Sequence, residues 1–201
     1  MELELIVDIE TDGLLPDVTK IHCIGMTVVG AAAAQIFANE EPYECIEDAL
    51  ELMSRAKSLT GHNIIGYDLP VLKKLLGWTP SKNTEIIDTL VMSRLCHTSL
   101  REVDAKQKSI ETKFWGSHSL KAWGKRLTVE KSELDGDDVW SHFTGEMADY
   151  CMQDVLVTSE LKYHFELQEY SPEAIQLEHQ FATVIQRQVE YGFSFDIKKG
   201  Q

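Results

Sequence analysis

With 201 residues, 43% of them hydrophobic and 26% charged, the chain has the make-up of a folded globular protein, not a disordered or fibrous one. A chain of this length buries roughly 70% of its unfolded surface, enough for one domain and a small appendage. A net charge of −14 excludes a uniformly basic nucleic-acid binder, the scattered Cys23, Cys45, Cys96 and Cys151 fit no zinc ribbon or disulfide framework, and without a long apolar run a cytoplasmic protein with no membrane partner is expected.

Residues 3–10 mix alternation with a β-branched apolar run and predict a central strand, with Asp12-Gly13 as the turn after it. Residues 20–29 predict a second strand and 34–38 a shorter third, together an antiparallel meander. Behind Glu40-Glu41-Pro42, Ile46, Leu50 and Met53 fall at helical spacing, so 43–56 reads as an amphipathic helix lying on the sheet. Residues 58–62 fit the next strand. A helix over 68–76 carries Pro70 in its first turn and stops at Gly77. Residues 86–95 return towards the core. From 97 to 145 the periodicity is poor except at 119–127, which predicts loops around one short helix. Residues 145–169 have a strong helical period, broken by Ser171-Pro172 before a last helix over 173–191 that Gly192 stops. Strands first, then alternating helices and strands, predict an α/β fold: a mixed sheet flanked by helices.

Asp8 and Glu10 lie two apart on the first strand, so both carboxylates point to one face and can share a cation; a solvated strand end is the plainer reading. Tyr150 and Asp154 lie four apart in a helix and emerge on one face, where a packed tyrosine beside a surface acid is the alternative. Asp68 opens a helix directly after Tyr67, where a carboxylate gains from the helix dipole and could be an ordinary cap. Taken together, four acids from separated segments offer the hard oxygen ligands that Mg²⁺ or Mn²⁺ prefers, and two such ions roughly 4 Å apart serve phosphodiester cleavage well.

The order Asp8-Ile9-Glu10-Thr11, then 62–68 (His-Asn-Ile-Ile-Gly-Tyr-Asp), then Tyr150-Cys151-Met152-Gln153-Asp154 resembles the three exonuclease motifs of the DEDD superfamily in its tyrosine subclass. More closely, with 88–95 and 116–124 included, the chain is similar to the proofreading domain of family A replicative DNA polymerases of small podophages. The resemblance implies an RNase-H-like fold over 1–170 and a metal-dependent 3′→5′ exonuclease that releases nucleoside monophosphates from the 3′ end of single-stranded DNA. It implies two Mg²⁺ (or Mn²⁺) ions, one held by Asp8, Glu10 and Asp154 and a second reached by Asp8 and Asp68, with Tyr150 holding the attacking water. Thr11, Leu14 and Asn63 match positions that contact the terminal nucleotides, Leu14 as a wedge. The stretch from Asn63 to Tyr67 is one residue longer than in bacterial repair polymerases.

Residues 177–180 and 189–196 are similar to the entry into the polymerase domain of the same family, so 171–201 is expected to be a helical junction towards a polymerase domain or subunit outside this sequence. An RNA-trimming nuclease like ribonuclease D and a non-catalytic polymerase-binding module are the competing readings. Between Arg94 and Lys131 nine basic residues face four acidic ones, a strip on which Lys106, Lys108 and Lys113 could guide DNA. Trp115, Trp123 and Trp140 lie in or near it as core or stacking residues, and the histidines match no zinc spacing, although His62 could line the cleft.

Overall fold

A computed structural model describes residues 2–129, 134, 139–195 and 199; Lys131 of the basic strip, and Asp196 and Gln201 of the junction, lie outside the described residues. Five strands, β1 (Glu4–Thr11), β2 (Ile21–Val28), β3 (Gln35–Phe37), β4 (Ser58–Gly61) and β5 (Glu85–Asp88), form one sheet in the order β3-β2-β1-β4-β5. The first three make the predicted antiparallel meander, and β4 and β5 add in parallel on the other side of β1. Helices α1 (Ile46–Ser54), α2 (Asp68–Leu76), α3 (Thr89–Cys96), α4 (Leu100–Gln107), α5 (Leu120–Arg126), α6 (Gly145–Glu166) and α7 (Pro172–Tyr191) flank it. The mixed sheet flanked by helices is therefore present as expected.

The sheet is buried on both faces. Leu5, Val7 and Ile9 of β1 pack with Ile46, Met53, Leu59 and Leu72 on one side. On the other, Cys23 of β2 meets Met147, Ala148 and Cys151 of α6. A third cluster joins α3, α5 and α6 through Met92, Trp123, Leu161 and Phe165, which makes Trp123 a core residue.

Three local readings change. Helix α1 begins at Ile46, three residues later than expected, because Glu44 bridges to Phe37 and the Cys45 N–H donates to the Asp48 carboxylate, which fixes the turn. The segment 86–95 divides at Asp88 into a strand and a helix, since its carboxylate accepts the N–H groups of Leu90 and Val91 and caps α3. Helix α4 falls where loops were expected. Its sequence, Leu-Arg-Glu-Val-Asp-Ala-Lys-Gln, has no apolar stripe, and a tertiary ion pair anchors it: buried Asp104 accepts from Arg126 at 3.0 and 2.8 Å and from the Gly116 N–H at 2.8 Å. Arg126 is thus a core ion-pair member and not part of a solvated basic strip. Lys113 and Lys125 lean over the Phe114 ring and pair with Glu111, whereas Lys106 and Lys108 are exposed.

The last helix packs against α3 and β5 with Ile175, His179 and Ala182 facing inwards, and leaves Leu177 (63% exposed), Phe181 (58%) and Val189 (64%) outwards. Among the described residues no helix is long and apolar enough to cross a membrane.

Helix α6 approaches β2 closely because Gly25 has no side chain. A Cβ there would meet the Cys151 Sγ at 2.8 Å and Val155 Cγ2 at 3.0 Å. Gly25→Ala is expected to destabilise the fold by about 1–3 kcal/mol through overpacking, read as a lowered urea midpoint; an unchanged midpoint would mean that α6 shifts freely on the sheet.

Candidate active site

In an antiparallel pair, residues directly opposite share a face. Asp8 stands opposite Gly25 and Glu10 opposite Cys23, so both acids point to the side that α6 covers. There the carboxylate oxygens of Asp8 and Glu10 and the Sγ of Cys151 all lie within 4.8 Å of one another. Cys151 is fully buried, 3.9 Å from Asp8 Oδ2, and a hydrogen bond with Cys23, then burial, then the nearby acids push its thiol pKa well up, so it stays protonated. Asp154 lies three residues further along α6, on the same helical face as Cys151, and is itself 7% exposed.

Asp68 arrives from the opposite side of the strand. Pairing of β1 with β4 covers Glu4–Ile6 and ends there, which leaves the later backbone of β1 open on that edge. The Ile9 N–H, between Asp8 and Glu10, donates to the Asp68 carboxylate. Burial pushes the Asp68 pKa up from 3.8 to about 7, with the Asp88 charge adding to the rise and hydrogen bonds from backbone N–H groups opposing it. Asp8, Glu10 and Asp68 are thereby brought to one stretch of β1, and Asp154 sits on the helical face of α6 that carries Cys151.

The nucleotide-contact positions fare differently. A hollow of about 360 Å³ beside Glu10 is lined by Thr11, Leu14, Tyr67 and Trp140. Leu14, 77% exposed, stands at its mouth. The Thr11 hydroxyl is engaged by the turn itself, meeting the Gly13 carbonyl at 3.1 Å and the Tyr67 hydroxyl, which donates to Gly13 O at 2.6 Å. At φ 68° the Asn63 side chain folds back over Gly66, where a Cβ would lie 2.5 Å from Asn63 Oδ1, and Asn63 lines a different hollow of about 590 Å³ between α3 and α7. The larger hollow holds none of the four acids. His62 Nδ1 meets the Thr89 hydroxyl at 2.9 Å, a tie between loop and helix.

Trp140, read from the sequence as a core or stacking residue, is 36% exposed beside the candidate acids. It makes an edge contact with the Tyr150 ring, centroids 6.1 Å apart, and lines the hollow beside Glu10, while its carbonyl lies 2.9 Å from His22 Nε2. No spacing in the sequence signals this, because Trp140 lies outside any periodic element; an aromatic ten residues before the tyrosine motif was the sole hint.

A five-stranded mixed sheet with acids converging on its first strand is the framework of the RNase H superfamily, and the chain belongs to that superfamily, whose family model matches residues 5–166. Its sequence is similar to that of phage DNA-directed DNA polymerases. It is 32% identical to the DNA-directed DNA polymerase of Escherichia phage T7 over 96% of its own length, and spans 34% of the length of that relative. Among solved structures, Brucella melitensis NrnC matches with a TM-score of 0.67 at 17% identity, covering 98% of this chain and 90% of that one. Escherichia coli RNase D matches with a TM-score of 0.54 at 15% identity, covering 92% and 45%. These two likenesses are of fold.

The raised Asp68 pKa sets a sign for pH dependence. Between 3.8 and about 7 the native state keeps a proton that the unfolded chain releases, so the contribution is fully present below about 4 and is lost as pH rises through about 7. Without divalent cations, stability should fall between about pH 5 and 7 with a slope of up to about 1.4 kcal/mol per unit from this group. Asp68→Asn should flatten that slope in urea titrations run in EDTA; an identical slope in the variant would assign the effect elsewhere.

Proposed function

We propose that the chain is a metal-dependent 3′→5′ exodeoxyribonuclease that removes nucleoside monophosphates from the 3′ end of single-stranded DNA, as the proofreading part of a phage-type replicative polymerase acting in the cytoplasm of an infected bacterium. The observation that carries this reading is the meeting of Asp8 and Glu10 of β1 with Asp68, bonded to the intervening Ile9 N–H, under the α6 face that bears Asp154. Carboxylate oxygens from four separated positions suit hard cations, and a buried Asp68 held partly protonated near pH 7 is a ligand that a cation would ionise. Asp8, Glu10 and Asp154 would hold one Mg²⁺ or Mn²⁺, and Asp8 and Asp68 a second. Bound there, such ions supply Lewis acidity, which eases ionisation of the attacking water and steadies charge on the leaving 3′ oxygen.

The chain's own groups do the rest. Tyr150 stands one helical turn before Asp154, and its hydroxyl would orient the attacking water, with the ring held by Trp140. Leu14 and Trp140 frame the hollow beside Glu10 and would grip the terminal base, one as a wedge and one as a stacking face. The exposed Leu177, Phe181 and Val189 of α7 would pack on a polymerase domain, with residues 171–201 as the junction and 1–170 as the nuclease. Identity with a DNA polymerase favours DNA over RNA as substrate. The fold likeness to an RNase described as an exoribonuclease keeps RNA as the alternative to be tested.

Digestion of 5′-labelled single-stranded DNA in Mg²⁺ or Mn²⁺ should give a ladder that shrinks from the 3′ end, silenced by EDTA and by Asp8→Ala, with matched RNA cut more slowly. An inert wild type would point to a binding module, and faster cutting of RNA to the alternative. Leu14→Ala and Trp140→Ala should each raise KM about tenfold, in line with the roughly 1–3 kcal/mol of a base–aromatic contact, while leaving kcat nearly unchanged. A wild-type KM in both variants would remove that hollow from the substrate path.

A further inference from the structure

The last helix stands beyond the nuclease motifs in sequence, yet one of its side chains is built into the sheet. Strand β5 is an edge strand, so its outer backbone groups have no strand partner. At Asp88, the last residue of β5, the N–H donates to Nε2 of His179 at 2.7 Å. His179 is 9% exposed, and its Nδ1 lies 2.7 Å from the Ile175 carbonyl one turn earlier in α7. A ring nitrogen that faces a carbonyl carries the proton, and one that receives an N–H carries the lone pair. The imidazole is therefore neutral, protonated on Nδ1, with Nε2 as acceptor.

From Asp88 the bonds continue towards the acids. Its carboxylate, 2% exposed, accepts the N–H of Asn63 at 2.9 Å and of Ile65 at 3.1 Å, besides capping α3. Those two amides belong to the loop that delivers Asp68, and the N–H groups of Gly66 and Tyr67 close back on the Asn63 carbonyl at 3.0 and 2.9 Å. The loop thus hangs from Asp88 at one end and presents Asp68 to the Ile9 N–H at the other.

We propose that His179 is a positioning residue for the hydrolysis: by holding the Asp88 backbone at the sheet edge, it fixes the loop 62–67 and through it the placement of Asp68. This rests on the exonuclease reading above. A shift of Asp68 by about 1 Å is enough to lower the chemical step strongly without touching DNA binding. Buried histidines in a helix commonly serve packing alone. Packing alone would not require an acceptor at Nε2, and that requirement separates the two roles.

Three variants test it: His179→Ala, His179→Gln, whose amide oxygen can reach where Nε2 stands, and Ala182→Gly, which loosens α7 without touching Asp88. In single-stranded DNA digestion His179→Ala should lose about tenfold to a hundredfold in kcat with KM little changed, His179→Gln should recover most of it, and Ala182→Gly should keep the wild-type kcat. Equal losses in His179→Ala and Ala182→Gly, or a wild-type kcat in His179→Ala, overturn the proposal. Amide hydrogen exchange without DNA or metal gives a second readout: His179→Ala should speed exchange at Asn63, Ile65 and Asp88 and leave the β1–β2 amides alone. Should the wild type cut no DNA, the exonuclease reading falls, and exchange decides the tie to the loop by itself, with unchanged rates at Asn63 and Ile65 refuting it. Should His179→Ala fail to fold, ¹⁵N shifts of the wild-type ring decide: a bare Nε2 and protonated Nδ1 support the proposal, and the reverse tautomer overturns it.

Discussion

The open edge of β1 beyond Ile6 is the constraint on which this molecule depends. The strand is paired with β2 along its length but with β4 only at its start, so one backbone N–H at the centre of the acid motif has no strand to bond. A buried N–H must find a partner, and here the partner is the Asp68 carboxylate. The same bond that completes the backbone of β1 brings a third acid beside the first two. Had β4 run on past Gly61, its carbonyls would have taken that N–H and Asp68 would have no place at the site.

Concentrating buried carboxylates in this way opposes folding, since each loses hydration and each repels the others. The fold limits the cost by different means at each acid. Backbone N–H bonds partly offset the burial of Asp68. Asp8 keeps partial exposure, and next to it lies a thiol that stays neutral. The remaining penalty is of the kind that cations relieve, which ties the energetics of the fold to the metal chemistry proposed for it.

The basic strip shows how tertiary structure reassigns local charge. Arg126 belongs to the strip by sequence, yet it is turned inwards on Asp104, where it anchors a helix that has no apolar stripe. Lys113 and Lys125 share Glu111 and the face of Phe114. Of the strip's described lysines, Lys106 and Lys108 keep the exposed, unshared character that attraction of a polyanion requires.

By itself the sequence determined the strands of the meander, the helix over 68–76 with its Gly77 stop and the long helix of the third motif, and it named the four candidate acids, because each rests on a short-range rule: a period of two or 3.6, a cap, or a motif of fixed spacing. The tertiary structure alone decided what depends on contacts between distant segments. Helix α4 was hidden because an ion pair twenty-two residues away, not an apolar face, holds it. The left-handed backbone of Asn63, which folds its side chain over Gly66, is set by the loop and not by any local spacing. Trp140 joins the site through a ring contact with Tyr150 that no spacing encodes, and Asp88 and His179 meet across ninety-one residues because an edge strand leaves one N–H for a helix to receive.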